Sequence, residues 1–448
     1  MTGLTAATDK VVFTHVGALR AKYGSTGVSR LRAALRTMIS NDRGRGVVST
    51  VVDVSSAAAL RPVGEPRIAD PGDHDRFRRV LDAVCTLAEP DYVLLYGGPD
   101  IVPLVPLVNP MPAPDPDPDL PSDLPYAVPG GLTGLDPTAL VGPTRVVGRL
   151  PDTMSVGGLD GAAAYARLTR STARWRSADR AALGDPLCLS TARWQLSTAA
   201  SAAAVLGPGA TLRLAPPVTG PWAGPGLDTR LHLVNLHGAT ADPHWTGDPG
   251  FAPAVATADL TGRRLPGTVA VTESCFGAEL WDPALALGAL PLPLAYLAAG
   301  AYAVVGPTCL SYGGRTAPDA ADVLCWLVVE EVLAGASLGR ALLTARQRYV
   351  AAQPAMTPVD LKTLAQFSLL GDPSIHLVTP PPGAPVGARI DRRRRLAFAG
   401  IRLQRDTTVL SAAAVQLTVR RRRTRTGPAQ LRVTEVTGPV PGRELESR

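Results

Sequence analysis

Apolar and polar positions along this 448-residue chain change period repeatedly. Short runs rich in Val, Leu and Ile at 11–14, 47–54, 92–96, 145–148, 231–236, 268–272 and 301–305 have the length and composition of buried strands. Between them, apolar residues recur at three- and four-residue spacing over 29–39, 76–87, 161–175, 291–299, 320–333 and 338–351, which predicts helices. Short buried strands alternating with longer helices are the pattern of a mostly parallel sheet covered on both faces. The predicted fold class is therefore α/β.

Two stretches interrupt this alternation. The segment 103–125 holds nine prolines and an Asp-Pro-Asp-Pro-Asp tract. Proline has no amide to donate, so a long exposed connecting loop is expected there. The second break, at 380–385, precedes two arginine clusters, Arg392 to Arg395 and Arg420 to Arg423. These breaks predict an N-terminal α/β subdomain over 1–102, a Pro/Asp-rich connecting loop over 103–142, a main domain over 143–380 and an Arg-rich extension over 381–448.

Composition narrows the class. A chain that is 46% hydrophobic and 19% charged, with 44 Gly and 43 Pro, builds a large core with many turns and is neither disordered nor fibrous. The formal charge of +7 is unevenly placed: residues 386–448 carry 15 Arg against 5 Asp and Glu, a net of +10, so the rest of the chain sums to −3. A basic tail can contact nucleic acid or anionic membrane, but Phe398 is its only aromatic residue for stacking on bases. The runs 415–419 and 431–436 can form strands, within what is expected to be a solvated, partly disordered extension, itself open to cleavage at arginine, with nucleic acid not a partner. The five cysteines, odd in number and without a CxxC pair, predict neither a disulfide framework nor a structural zinc site. With a polar opening segment and no apolar run of about 18 residues, the chain is expected to be cytoplasmic and without a membrane span. No feature of the sequence specifies an oligomeric state.

The candidate chemistry sits at two strand ends. The run 231–236 leads directly into His237 and Gly238, and 38 residues further on the run 268–272 leads into Glu273, Ser274, Cys275, Phe276 and Gly277. Ligands of open parallel sheets bind outside the carboxyl ends of the strands, so a His and a Cys placed there can converge on one substrate. A thiolate is the nucleophile, and an imidazole beside it serves as its base and as the acid for a leaving amine. The amides of Gly238 and Cys275 are the candidate oxyanion donors. Other groupings carry less. His237, His244, Asp242 and Asp248 lack the spacing of a zinc site, and Gly97-Gly98-Pro99-Asp100 lacks the glycine pattern and lysine of a phosphate loop.

These residues resemble the gingipain-like family of bacterial caspase-fold cysteine peptidases. Glu-Ser-Cys-x-Gly approaches the Gln-Ala-Cys-x-Gly pattern of caspases, whose His lies about 50 residues upstream. Other matching landmarks follow in order: Lys22-Tyr23-Gly24, the run from Leu94 to Pro103, Val147-Gly148-Arg149-Leu150-Pro151, 301–306, Ser337-Leu338-Gly339, and Leu370-Gly371-Asp372-Pro373-Ser374. The resemblance covers about 10–378 and implies a caspase-like three-layer sandwich, preceded by a smaller α/β subdomain and followed by the basic extension.

It also implies a cysteine endopeptidase, with Cys275 as nucleophile and His237 as proton carrier, acting on protein or peptide substrates. Ser122-Asp123 with Tyr126 matches the family's Ser-Asp-x-x-Tyr stretch, which implies that Asp123 receives an Arg or Lys preceding the scissile bond. Asp242, Glu273, Ser311 and Tyr312 are the remaining expected substrate-binding residues. Gly313 stands where family members often carry an aromatic wall, which implies a wider pocket. No organic cofactor is implied, and calcium is the one activator left open, with no EF-hand loop present. The alternatives are a caspase-like preference for acidic or small residues, which needs pocket bases such as Arg315 or Arg263, and a non-catalytic scaffold of the same fold.

Overall fold

The computed structural model describes residues 4–5, 7–129, 145–207, 209–217, 222–248, 253–353 and 356–381, together with the backbone of four strands beyond residue 406. Its centre is a ten-stranded sheet. In chain order these strands are β1 (Lys10–Thr14), β2 (Ser49–Asp53), β3 (Tyr92–Tyr96), β6 (Val147–Leu150), β7 (Leu187–Ser190), β8 (Leu212–Leu214), β9 (Leu231–Asn235), β12 (Val269–Thr272), β13 (Ala303–Pro307) and β15 (Phe367–Gly371). Between them lie two hairpins, β4 (Val105–Val108) with β5 (Asp119–Ser122) and β10 (His244–Thr246) with β11 (Pro253–Ala256), and a short strand β14 (Tyr312–Gly314).

The spatial order is β2-β1-β3-β6-β15-β13-β12-β9-β7-β8. Every neighbouring pair is parallel except β13 with β15. That one antiparallel seam divides the sheet into two parallel halves of opposite sense. The carboxyl ends of β9, β12 and β13 therefore share one edge, and those of β1, β3 and β6 point the other way. Strands from 1–102 and from 143–380 run in one continuous sheet, joined through the pairing of β3 with β6.

The sequence explains why these segments sit where they do. Most strands are buried at every residue, as strands covered by helices on both faces must be. The helix Val16–Gly44 is longer than the predicted 29–39 and breaks at Gly24, whose φ of 68° a residue with a Cβ rarely adopts. The break puts Lys22 and Tyr23 beside Asp152: Lys22 Nζ is 2.6 Å from Asp100 and 2.7 Å from Asp152, and the Tyr23 hydroxyl donates to Asp152. At the other end of β1, buried Lys10 Nζ lies 2.6 Å from both Asp42 and Asp372. The Lys-Tyr-Gly and Gly-Asp-Pro-Ser landmarks are thus two buried charge clusters that fasten distant parts of the chain.

Two expectations need correcting. The proline-rich segment forms the β4–β5 hairpin and is not wholly irregular. Val105 and Leu107 point inward while Pro106 and Val108 point out, and in a two-stranded ribbon a proline can spend its missing donor on the open side. Past residue 406, where the sequence offers strands at 415–419 and 431–436 within a solvated extension, the backbone forms an antiparallel sheet of β16 (Thr407–Ala412), β17 (Val415–Arg422) and β18 (Gln430–Thr437). Arg420, Arg421 and Arg422 fall on β17, whereas Arg392 to Arg395 and Arg423 lie outside the described residues. A last strand, β19 (Leu445–Ser447), pairs with β14.

Candidate active site

β9 and β12 are parallel neighbours with Val234 opposite Thr272, and the amide of Glu273 donates to the Val234 carbonyl at 2.8 Å. His237 and Cys275 each stand three residues beyond that pair. The register alone therefore brings the two side chains out at the same height on adjacent strands. Gly238 completes the approach: a Cβ built on it would fall 1.9 Å from the Cys275 carbonyl oxygen, so only glycine lets the two strand ends close together.

The chain turns sharply after the cysteine. Phe276 has a φ of 57°, and a Cβ on Gly277 would meet Thr272 Cγ2 at 2.6 Å and the Ser274 carbonyl at 2.8 Å. The amides of Phe276 and Ala278 then donate to the carbonyls of Cys309 and Pro307, tying this turn to the end of β13. Ser311 follows on that extension, and its backbone N–H donates to Cys275 Sγ at 3.1 Å. The sulfur in turn donates to the Ser311 carbonyl at 3.6 Å, so this one residue's backbone grips Cys275 from both its N–H and its C=O. Burial pushes two other thiols up, Cys188 to about 11 and Cys309 to about 12.

His237 is held from two sides. Its backbone exchanges hydrogen bonds with Thr246 at 3.0 and 2.9 Å, which closes the loop between them, and its ring packs on fully buried Trp194 with centroids 4.4 Å apart. Trp194 arrives from the carboxyl end of β7, the strand beside β9. A third residue joins the His and Cys loops. The Glu279 carboxylate accepts from Thr240 Oγ1 at 2.8 Å and from the Ala241 amide at 2.9 Å, and burial raises its pKa. Neither Trp194 nor Glu279 carries a motif, so sequence patterns gave no signal for them.

The expected substrate-binding residues divide. Ser311 and Tyr312 sit at the cysteine, whereas Asp123 and Tyr126 are engaged elsewhere. Buried Arg149 holds the Asp123 carboxylate through two hydrogen bonds at 2.9 and 2.6 Å, and the Tyr126 hydroxyl donates to the Pro103 carbonyl at 2.7 Å. Asp123 and Arg149 form a one-to-one buried pair that leaves no net charge for a second cation, so Asp123 is withdrawn as the acceptor of a basic side chain. Asp242 accepts from the His244 amide at 3.0 Å and pairs with His244 Nδ1 at 2.7 Å, shaping its own turn. Glu273 is fully buried and offers no surface to a substrate.

The acidic residues that do reach the site come from the proline-rich segment. Asp117 accepts from the Leu310 amide at 3.0 Å, and Asp115 accepts from the Tyr312 hydroxyl at 2.8 Å. Both also bind Lys362, at 2.6 and 2.7 Å, which the helix Pro358–Gln366 carries beneath them. Burial pushes the Asp115 carboxyl up, but the bonds from Lys362 and Tyr312 outweigh it and hold it below the usual range. Two carboxylates share one ammonium here, so the loop beside Cys275 keeps a negative balance. Among the described residues no group of three or more His, Cys, Asp or Glu side chains is arranged to hold a metal ion, and no helix is long and apolar enough to cross a membrane.

No protein-family model matches the chain, and no curated protein matches it. Among solved structures, it is similar to one described as the structure of a protease, at 12% identity with a TM-score of 0.51, over 97% of this chain and 92% of that one. At that identity the likeness is one of fold: a mixed, mostly parallel α/β sheet of the kind that protease has.

Proposed function

We propose that this protein is a cysteine endopeptidase that uses a Cys275–His237 dyad and cleaves after a basic residue. The observation that carries the reading is the register of β9 and β12, which sets His237 and Cys275 at one height, with Gly238 seated on the Cys275 carbonyl. The fold likeness to a protease agrees with it. The Cys275 thiolate, contacted by the Ser311 amide, attacks the peptide carbonyl and forms a C–S bond. The amides of Gly238 and Cys275 receive the oxyanion. His237 then passes its proton to the departing amine as the C–N bond breaks, and a water activated by the same imidazole hydrolyses the thioester.

The preference for Arg or Lys rests on the net negative charge left where Asp115 and Asp117 share the one Lys362 ammonium beneath Tyr312, acting as a field and not as a direct contact, and not on Asp123. A panel of fluorogenic peptides with Arg, Lys, Asp or Leu before the reporter tests both parts. Cleavage of the basic peptides by the wild type but not by Cys275→Ala supports the reading. Cleavage after Asp removes the basic preference, and labelling of Cys275 without cleavage of any peptide favours a scaffold of this fold.

A further inference from the structure

The strand β14 starts one residue after Ser311, whose N–H touches the Cys275 sulfur. A peptide laid antiparallel along β14 and running toward Tyr312 therefore delivers its carbonyl carbon toward that sulfur. The only side chain on this strand is that of Tyr312, since Gly313 and Gly314 leave bare backbone for pairing. One side of β14 is already engaged: Gly313 is bridged to Ala320, and the Gly314 amide donates to Asp322 at 2.6 Å.

The other side is taken by the chain's own C-terminal segment. Leu445 pairs with Gly314, Glu446 with Gly313 and Ser447 with Tyr312, in antiparallel register. The segment thus runs toward Cys275 in the sense of the acyl half of a substrate, and the next residue in the sequence is Arg448, of the basic type proposed above. Cys275 itself is only 2% exposed. An edge offers one set of N–H and C=O groups, so a strand seated there excludes any other.

We infer that Leu445–Ser447 is a pseudosubstrate strand that occupies the peptide-docking edge beside Cys275 and must leave before a substrate can bind. This rests on the peptidase reading for its consequence, though not for the occlusion itself. The pairing is short, and it competes because the tether keeps the strand at high effective concentration. A strand of three residues is displaced by a good substrate or by a partner that binds the tail, which makes it a threshold and not a permanent block.

The test uses the full-length chain with Leu445→Pro and, separately, Glu446→Pro: neighbouring residues of a strand direct their amides to opposite sides, so one of the two removes a bond to β14. Leu445→Val is the control that keeps strand propensity. The readouts are the rate of Cys275 alkylation by iodoacetamide, located by mass spectrometry, and the KM for a basic peptide. The proline variant whose amide faces β14 is expected to label Cys275 faster and to lower KM roughly tenfold at unchanged kcat, about the value of one or two backbone hydrogen bonds. The valine variant is expected to behave as wild type. Alkylation and KM unchanged by either proline overturn the inference. Faster alkylation with no peptide cleaved by any variant upholds the occlusion and removes the peptidase reading instead.

Discussion

Gly238 stands so close to Cys275 that a single added carbon would fall 1.9 Å from its carbonyl oxygen. The obstruction is backbone on both sides, so no rotamer change relieves it, and the strands carrying His237 and Cys275 must part. Gly238→Ala is expected to cost about 1–3 kcal/mol of stability by overpacking. It is also expected to lower kcat/KM by roughly 100-fold, because a displacement of about 1 Å at the reacting groups is enough for that. Urea denaturation alongside peptide kinetics checks it. A variant with wild-type kinetics would show that the two loops need not touch.

Glu279 joins the same two loops through its carboxylate, binding Thr240 and Ala241 across from its own position after Cys275. It acts through His237 and Cys275 and is a positioning residue. Glu279→Ala should reduce kcat by roughly 10- to 100-fold by loosening the approach of the His to the Cys. Glu279→Gln retains an acceptor of the same shape and should recover most of the rate. Equal losses in the two variants, or a change in KM alone, would assign Glu279 another role.

How much of this was legible in the sequence depends on the range of the interactions involved. The strands ending at His237 and Cys275 announce themselves by local apolar runs, and parallel pairing then fixes their relative height. β15 is just as buried, yet it begins where the helix Pro358–Gln366 ends, so no turn signal separates the two. β7 (Leu-Cys-Leu-Ser) and β8 (Leu-Arg-Leu) hold no Val or Ile, so the β-branched composition that marks the predicted strands is missing. Asp123 was misplaced because its partner Arg149 lies 26 residues away, and the local Ser-Asp-x-x-Tyr pattern carries no trace of that pair. Asp115 and Asp117 looked like solvated loop residues until the hairpin folded them onto Lys362, 247 and 245 residues further along.

The Lys10 cluster makes a stability prediction independent of catalysis. Burial works against its ammonium, but Asp372 and Asp42, each at 2.6 Å, more than restore it. Lys10→Met would leave Asp42 and Asp372 facing each other in the core, with Asp42 still 3.7 Å from Arg45 but Asp372 stripped of its ammonium. Removing one partner of such a group is expected to cost about 3–5 kcal/mol. Chemical denaturation at pH 7 reads this directly. A loss below about 1 kcal/mol would mean that water or another cation replaces the ammonium.

His232 sets an acid limit on the fold. It sits inside β9, with Nε2 3.0 Å from the Thr229 carbonyl and Nδ1 3.2 Å from the Tyr296 hydroxyl, and burial lowers its pKa from 6.5 to about 4. In the unfolded chain the ring takes up a proton as the pH falls through about 6.5, while in the folded chain it stays neutral until about 4. The unfolded state therefore gains proton binding first, and stability is lost as the pH falls across that window. At pH 5 the loss from this one residue should reach about 2 kcal/mol, since each pKa unit is worth about 1.4. His232→Gln removes the titration while keeping a donor for Thr229, so its stability should fall less between pH 7 and pH 5 by that amount. His15 and His376, also lowered by burial, supply the slope that remains. Identical pH profiles for wild type and variant would mean that the imidazole is already protonated within the fold, and that the start of β9 tolerates a charge.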